Sequence, residues 1–417
     1  MTDVVFFLTK GLFFGLLVMM SVSAATIFVF LSRERRRGGR AADFEPLLSI
    51  VIPAYNEERN LGSCLEAILA SGYPLAKLDI MVVDDGSIDG TREVARSYGG
   101  VRLLEQDHRG KVEALNQGVR HARHDFLLSI DADTVLRPGA VAELVRPLAD
   151  PRVGAVTGVA KVRNPDHVLG GFQSVEYLFN AISRESFSVL FRMYPGLCGA
   201  LACYRLRALK LVGGFKPDTA AEDYDVAMEL AGRGFAILAA GAAVGHTQVP
   251  DTLRSLVKQR VRWMKGCMQC FVKHRALLRD GSPILRYLIA IQIFWILYAL
   301  ASLPLIGFSF VYWLPLNAGS LPEIGAYIVR WFTLAGPVYM LFMIPEWGIN
   351  TTYLFGCLAG VLTPLLMLAA LFRYDRATPR SLVAIALYFP YTLLLSVMMM
   401  GSLAAYVRSG GKGAFVR

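Results

Sequence analysis

Phe126-Leu-Leu-Ser-Ile-Asp131-Ala-Asp133-Thr134 decides how the chain is read. The run from Phe126 to Ile130 is apolar and has the length of a short buried strand. It delivers Asp131 and Asp133 where that strand should end. Two acids so close at the end of a buried element are costly unless something positive answers them. A hard divalent cation with oxygen ligands would do so, and Mg²⁺ commonly pairs one or two carboxylates with substrate phosphates. An isolated Asp-x-Asp is most often a loop with two solvated acids. This pair has company: Asp84-Asp85, Glu222-Asp223-Tyr-Asp225 and Gln259-Arg260-Val-Arg262-Trp263 share its polar stretch, and long apolar segments flank the whole.

At 417 residues the chain can hold two or three domains and a large core. Hydrophobic residues make up 54% of it and the mean hydropathy is +0.45, which points to membrane spans. The net charge of +10 is no nucleic-acid footprint, because five arginines cluster in Arg33-Glu-Arg-Arg-Arg-Gly-Gly-Arg40, directly after an apolar segment. That is a positive-inside signal, and no zinc-finger, RNA-recognition or helix-turn-helix signature competes with it, so no nucleic-acid partner is expected. The cysteines outline no disulfide framework. Cys267-Met-Gln-Cys270 has a metal-like spacing but lacks the second pair or histidine that zinc needs, so reduced, packed thiols are expected.

Residues 11–31 are apolar, uncharged and long enough to cross a bilayer. Without a basic leader region or a cleavage site they read as a retained anchor, residues 1–32, with its C-terminal end in the cytosol. Residues 46–250 read as a soluble α/β domain. Leu48–Ile52, Ile80–Val83, Val101–Leu104, Phe126–Ile130, Val153–Val159 and Ala236–Ala239 are expected strands. Glu57–Ser71, Thr91–Tyr98, Gly110–Ala122 and Ala140–Leu148 are expected helices. The alternation predicts a mixed, mostly parallel sheet with its ligand site beyond the carboxyl ends of the strands, where the acidic motifs are expected to lie. Residues 251–283 begin with an amphipathic basic helix suited to the cytosolic membrane surface. Four apolar stretches follow within 284–407, at about 287–312, 324–344, 351–372 and 381–407, and a basic tail closes the chain at 408–417. A five-span count returns that tail to the cytosol but leaves the arginine-rich loop 373–380 outside. A re-entrant last segment broken at Pro390 would put the loop inside.

In this order the motifs resemble those of membrane-embedded family 2 glycosyltransferases, the processive synthases of cellulose, hyaluronan, chitin oligosaccharides and poly-N-acetylglucosamine. The resemblance covers residues 47–275 and implies a GT-A (nucleotide-diphospho-sugar transferase) fold joined to an all-α transmembrane region. In Leu48-Ser-Ile-Val-Ile-Pro53-Ala-Tyr55-Asn56-Glu57 it places Pro53, Tyr55 and Glu57 at the uracil base. Asp84 and Asp85, in a turn that Gly86 permits, would accept hydrogen bonds from uracil and ribose, while Asp89 caps the next helix. Gly110-Lys111-Val-Glu-Ala-Leu-Asn-Gln-Gly118 offers Lys111 to the diphosphate. Asp133, with Asp131 in support, would hold Mg²⁺ or Mn²⁺, and Asp131 would also serve the ribose. In Ala221-Glu222-Asp223, where alanine replaces a usual threonine, Asp223 would be the general base, with Glu222 beside it. Gln259, Arg262 and Trp263 form the Gln-x-x-Arg-Trp motif, with Arg262 on the diphosphate and Trp263 stacked on the acceptor sugar.

The resemblance thus implies an inverting, processive hexosyltransferase of the bacterial inner membrane with a cytosolic catalytic domain. It would use a UDP-sugar, best matched by UDP-N-acetylglucosamine, extend a β-linked chain and move it across the bilayer, with a small membrane subunit as a possible partner. Two alternatives stand beside it. One is a single-addition transferase with a lipid acceptor, similar to ceramide glucosyltransferases. The other is a nucleotide-regulated transporter without turnover.

Overall fold

The computed structural model describes residues 2–34, 44–313, 320–347 and 351–408. Eight strands form one sheet: β1 (Leu48–Ala54), β2 (Leu78–Asp84), β3 (Val101–Glu105), β4 (Phe126–Ile130), β5 (Val135–Leu136), β6 (Val153–Val162), β7 (Leu201–Arg205) and β8 (Ala236–Thr247), in the order β3-β2-β1-β4-β7-β6-β8-β5. Helix α1 (Thr2–Glu34) precedes the sheet. Packed on it or between its strands are α2 (Leu61–Leu69), α3 (Thr91–Arg96), α4 (Lys111–His121), α5 (Ala140–Val145), α6 (Val168–Phe191), α7 (Leu206–Leu211) and α8 (Glu222–Gly232). After it come α9 (Leu253–Lys273), α10 (Leu277–Asp280), α11 (Pro283–Trp313) and α12 (Leu321–Phe332). The last helices are α13 (Ala335–Trp347), α14 (Thr351–Tyr374), α15 (Pro379–Ala386) and α16 (Tyr388–Arg408).

All six expected strands form. Strand β1 pairs in parallel with β2 and β4, and β2 with β3. Strand β7 runs antiparallel between β4 and β6, which makes the sheet mixed. Strand β7 is not among the expected strands; all five of its residues, Leu201–Arg205, are buried within the sheet between β4 and β6. Both faces are covered. Ile50, Ile52, Val82 and Leu128 pack with Leu65 and Ile68 of α2 and Val141 of α5. On the other face Val51, Val83 and Leu127 pack with Leu115 of α4 and Val226 and Leu230 of α8.

The parallel register aims the site. Ile50 lies opposite Ile80 and Leu128, and Ala54 opposite Asp84, so β1, β2 and β4 end on one side of the sheet. Tyr55, Asp85 and Asp131 therefore leave the sheet together. Glu222 and Asp223 do not lie at a strand end as expected; they open α8, where the helix N-terminus favours negative charge. The helix expected from Glu57 starts only at Leu61, because Asn56 sits at φ +56° in a left-handed turn that must close first.

Among the described residues three helical segments are long and apolar enough to cross a membrane, within residues 10–33, 283–303 and 388–408, and residues 358–374 form a shorter apolar stretch. The expected span at 324–344 is instead two helices, α12 and α13, which part at Thr333-Leu334. The last span breaks at Leu387 rather than Pro390, which α16 accommodates in its first turn. Loop 373–380 is tied to the catalytic domain: Lys161 pairs with Asp375 at 3.2 Å, Glu185 with Arg373 at 3.2 Å and Asp166 with Arg380 at 2.5 Å. It therefore lies on the catalytic-domain side, contrary to the simple five-span count. Helix α9 turns Leu256 onto Tyr391 and Met398 of α16, while Leu253, Val257 and Val272 of the same helix stay exposed. Most of the Arg33–Arg40 cluster and the tail beyond Arg408 lie outside the described residues.

Candidate active site

The β1 and β2 ends form a tight double turn. Asn56 N–H donates to Ser87 Oγ at 2.9 Å, and Ile88 N–H donates to Asn56 Oδ1 at 3.0 Å. Asp84 is fully buried, accepts from Arg92 Nε at 2.6 Å and takes the Ser87 N–H at 3.3 Å. Asp85 accepts from Gln106 Nε2 at 2.6 Å and from the backbone N–H groups of Arg109 and Gly110 at 2.8 Å each. Gly86 turns the chain at φ +78°, and a Cβ there would come within 2.8 Å of His108 N. Tyr55, 43% exposed, stacks on His108 with centroids 4.1 Å apart. Pro53 stays in β1 opposite Val83. Asp89 accepts from the Thr91 N–H at 3.1 Å but does not cap α3 as expected, because the N-cap position falls on Gly90.

A second cluster gathers where β4, α4 and α8 meet. Lys111, the first residue of α4, places Nζ 2.6 Å from Asp131 Oδ1 and 3.5 Å from Glu222 Oε1. Two carboxylates distant in sequence thus share one ammonium. Burial opposes the Lys111 charge, but Asp131 and then Glu222 more than offset it and hold its pKa up. Among the described residues Asp133 is met by hydroxyls alone, Thr247 Oγ1 at 3.2 Å and Thr134 Oγ1 at 3.3 Å. Burial, then Asp131 and Glu57, push its carboxyl up to about 6. Glu57 is likewise raised, first by burial, while its Oε2 accepts from Asn60 Nδ2 at 2.8 Å.

Asp223 opens α8 and accepts its own neighbour's backbone N–H, from Tyr224, at 2.8 Å. Burial and Glu222 push it up to about 6, against Lys111 and Arg262, which favour its charge. A Cβ at Gly199 would stand 2.8 Å from Asp223 Oδ2, so the chain leading into β7 passes close beside this acid. Asp225, by contrast, faces away and pairs with Lys273 at 2.8 Å and His274 at 2.7 Å. It ties α8 to the end of α9. Asn116, from the Lys111 motif, is structural too, exchanging hydrogen bonds of 2.8 and 3.0 Å with the Phe215 backbone.

Helix α9 comes close to α8 at Gly266, where a Cβ would meet Ala221 N and Cβ at 2.7 Å. The alanine that replaces the usual threonine thus lies against a glycine, with Gln269 accepting the Ala220 N–H at 2.9 Å. Cys270 is buried there, 3.9 Å from the Ala221 carbonyl oxygen; it and Cys267 are free thiols, as expected. Gln259 keeps a buried Oε1 without a hydrogen-bond partner among the described residues. Arg262 is exposed, and its charge is felt at Asp223. Trp263 is half-buried, under the Arg260 guanidinium at 4.6 Å from its ring centroid. Sequence reasoning missed His108, Arg92, Gln106, Thr247 and Gln269. No motif marks them, because each acts only across the turn or helix that folding brings to it.

The cleft therefore presents, on one side, a shelf of aromatic and hydrogen-bonded acids, and on the other a group of acids that the protein leaves partly unanswered. A family model described as "Glycosyltransferase like family 2" matches residues 46–266. The chain belongs to that family. Among curated relatives of this transferase, the poly-β-1,6-N-acetyl-D-glucosamine synthase of Staphylococcus aureus (strain COL) is 33% identical over 240 residues, 56% of each chain. The Staphylococcus epidermidis protein of the same name is 30% identical over 246 residues, 57% of each chain. The chain thus spans somewhat more than half the length of the curated relatives it matches. Among solved structures, the mannosyltransferase PcManGT from Pyrobaculum calidifontis, in complex with GDP-Man and Mn²⁺, superposes with a TM-score of 0.55 at 26% identity. That likeness covers 84% of this chain and 98% of the other. The chain has the GT-A-like mixed sheet that the motif order implied, together with apolar helices.

Proposed function

We propose that the protein is an inverting, processive hexosyltransferase that moves N-acetylglucosamine from UDP-N-acetylglucosamine to the end of a growing β-linked polysaccharide. Its place would be the bacterial inner membrane, with the catalytic domain on the cytosolic side and the product passed across the bilayer. The observation that carries this reading is Lys111 held between Asp131 and Glu222, with Asp223 next to it. The named activity of the staphylococcal relatives supports the sugar and the polymer.

The residues present fit a divalent ion. Asp133 is a half-buried carboxylate whose hydrogen-bond donors among the described residues are two neutral hydroxyls, and Asp131 adds to its negative surroundings. Oxygen donors of this kind suit Mg²⁺ or Mn²⁺. Asp133 and Asp131 would hold the ion, which when bound neutralises charge on the departing diphosphate.

On this reading Tyr55, stacked on His108, offers its other face to the uracil, with Pro53 at the end of β1, while Asp84, Asp85 and Glu57 shape its polar edge. The Asp85 hydrogen bonds fix the loop that carries Lys111, so the ammonium is already in place when the diphosphate arrives. Asp223 takes the proton of the acceptor hydroxyl as it attacks the anomeric carbon, and burial makes that carboxylate a stronger base. A single attack of this kind turns an α-linked donor into a β-linked product. Trp263 offers its ring to the acceptor sugar and Arg262 meets the diphosphate, with Gln259 between them on α9.

A second reading is favoured by PcManGT, whose whole length the chain nearly matches. It makes the protein a GDP-mannose-dependent transferase adding one sugar, for instance to a lipid. The detergent-purified chain would be given UDP- and GDP-sugars with Mg²⁺ or Mn²⁺, and nucleotide release measured. Release with UDP-N-acetylglucosamine and a ladder of labelled polymer are expected. Release with GDP-mannose alone and a single lipid-bound sugar would install the second reading. Binding of nucleotide without release from any donor would favour a regulated transporter.

A further inference from the structure

Trp263 does not hold its place alone. The Arg260 guanidinium covers its ring at 4.6 Å, and Tyr177 of α6 lies beside it with centroids 6.4 Å apart. Arg260 is 4% exposed, and its Nη2 donates to Glu176 Oε2 of α6 at 2.9 Å. That same oxygen accepts from Tyr391 Oη of α16 at 2.7 Å. Tyr391, 3% exposed, stacks on Phe172 with centroids 5.1 Å apart. Three elements thus meet on one buried carboxylate: α6 of the catalytic domain, the motif helix α9, and a helix long enough to cross a membrane.

Among the described residues Arg260 Nε finds no hydrogen-bond acceptor. A buried ion pair adds little net stability, because desolvation offsets the attraction, and a further unmet donor adds cost. What the arrangement provides is geometry. Glu176 and Tyr391 fix the guanidinium, and the guanidinium fixes the plane of the indole through a cation–π contact.

We propose that Arg260 is a positioning residue for the acceptor, held by Glu176 and Tyr391 so that Trp263 presents its ring to the incoming sugar. The inference rests on the reading of Trp263 as the acceptor platform. Donor recognition belongs to Tyr55, Asp84, Asp85 and Lys111, none of which bonds to the Glu176 cluster. Disturbing that cluster should therefore impair transfer while donor binding stays as it was.

The test uses the full-length chain in detergent, with the conservative variants Arg260→Lys, Glu176→Gln and Tyr391→Phe, and Trp263→Phe as reference. One readout is sugar incorporated from UDP-N-acetylglucosamine, resolved into kcat and donor KM. The other is the emission of Trp263, obtained by subtracting the Trp263→Phe spectrum so that the rest of the chain's 5 tryptophans cancel. Arg260→Lys and Glu176→Gln are expected to lower kcat about 10- to 100-fold while donor KM moves less than about twofold. Tyr391→Phe should act in the same direction more weakly. In all three variants acrylamide should quench Trp263 more readily. Adding Arg260→Lys to Trp263→Phe should cost little more, since both act through one ring. An unchanged Trp263 emission, or an equal loss in the Trp263→Phe background, would overturn the proposal. If the parent transfers no sugar, the proposed function fails alone and the emission of Trp263 still decides the positioning role.

Discussion

Two pairs of acids stand at the ends of the strands that flank β1, Asp84 and Asp85 at the end of β2 and Asp131 and Asp133 after β4, and the protein treats them in opposite ways. Asp84 and Asp85 are saturated by Arg92, Gln106 and backbone N–H groups. Asp131 shares its one ammonium with Glu222, and Asp133 and nearby Asp223 are both pushed up to about 6. The first pair is satisfied by the protein itself and holds the turn that frames the donor side of the site in one shape. The second group is left short of positive charge, which is how a site that awaits a cation, a diphosphate or a proton differs from a loop.

The contrast can be broken in several places. The largest effect belongs to Asp223→Asn, expected to lower transfer by about 10²- to 10⁴-fold, as measured by nucleotide release. Lys111→Ala should follow at about 10²-fold, with a raised donor KM, because it removes the cation that joins Asp131 to Glu222. The same kind of substitution should then act with opposite sign on stability. Asp85→Asn should destabilise the chain by about 1–3 kcal/mol, since two backbone N–H groups lose a charged acceptor. Metal-free Asp223→Asn should instead stabilise it on the order of 1–3 kcal/mol near neutral pH.

The sign follows from protons bound. A carboxyl whose folded pKa exceeds its unfolded value holds its proton longer when folded. The stability it contributes is present at low pH and is lost as pH rises from about 4 through about 6. Thermal melts across that window should show the slope in the parent and its loss in Asp223→Asn. Catalysis runs the other way, because the base must be ionised, so turnover should fall as pH drops through about 6. The smallest effect should come from Arg380→Ala, which removes an exposed pair with Asp166 and should change stability by less than about 1 kcal/mol.

Most of the sheet was legible because β1, β2, β4 and β6 are continuous apolar runs, the pattern of strands buried on both faces. Strand β7 was not, because Leu201–Arg205 gains its partners only from β4 and β6, far away in sequence. The acidic motifs were legible as a set, and so was their convergence beyond the sheet. Their division into answered and unanswered acids was not. It depends on Arg92, Gln106 and Thr247, ordinary residues whose roles exist only after folding. The apolar helices were legible as composition, while the ion pairs of loop 373–380 were not, because they join residues far apart in sequence.

The most direct test of Asp223 as the base separates binding from turnover. UDP-N-acetylglucosamine would be titrated by calorimetry against detergent-purified parent and Asp223→Asn, with nucleotide release followed on the same samples. The variant is expected to bind the donor within about threefold of the parent and to lose turnover by at least about 10²-fold. Retained turnover in Asp223→Asn, or a loss of donor binding large enough to account for the lost rate, would contradict that assignment.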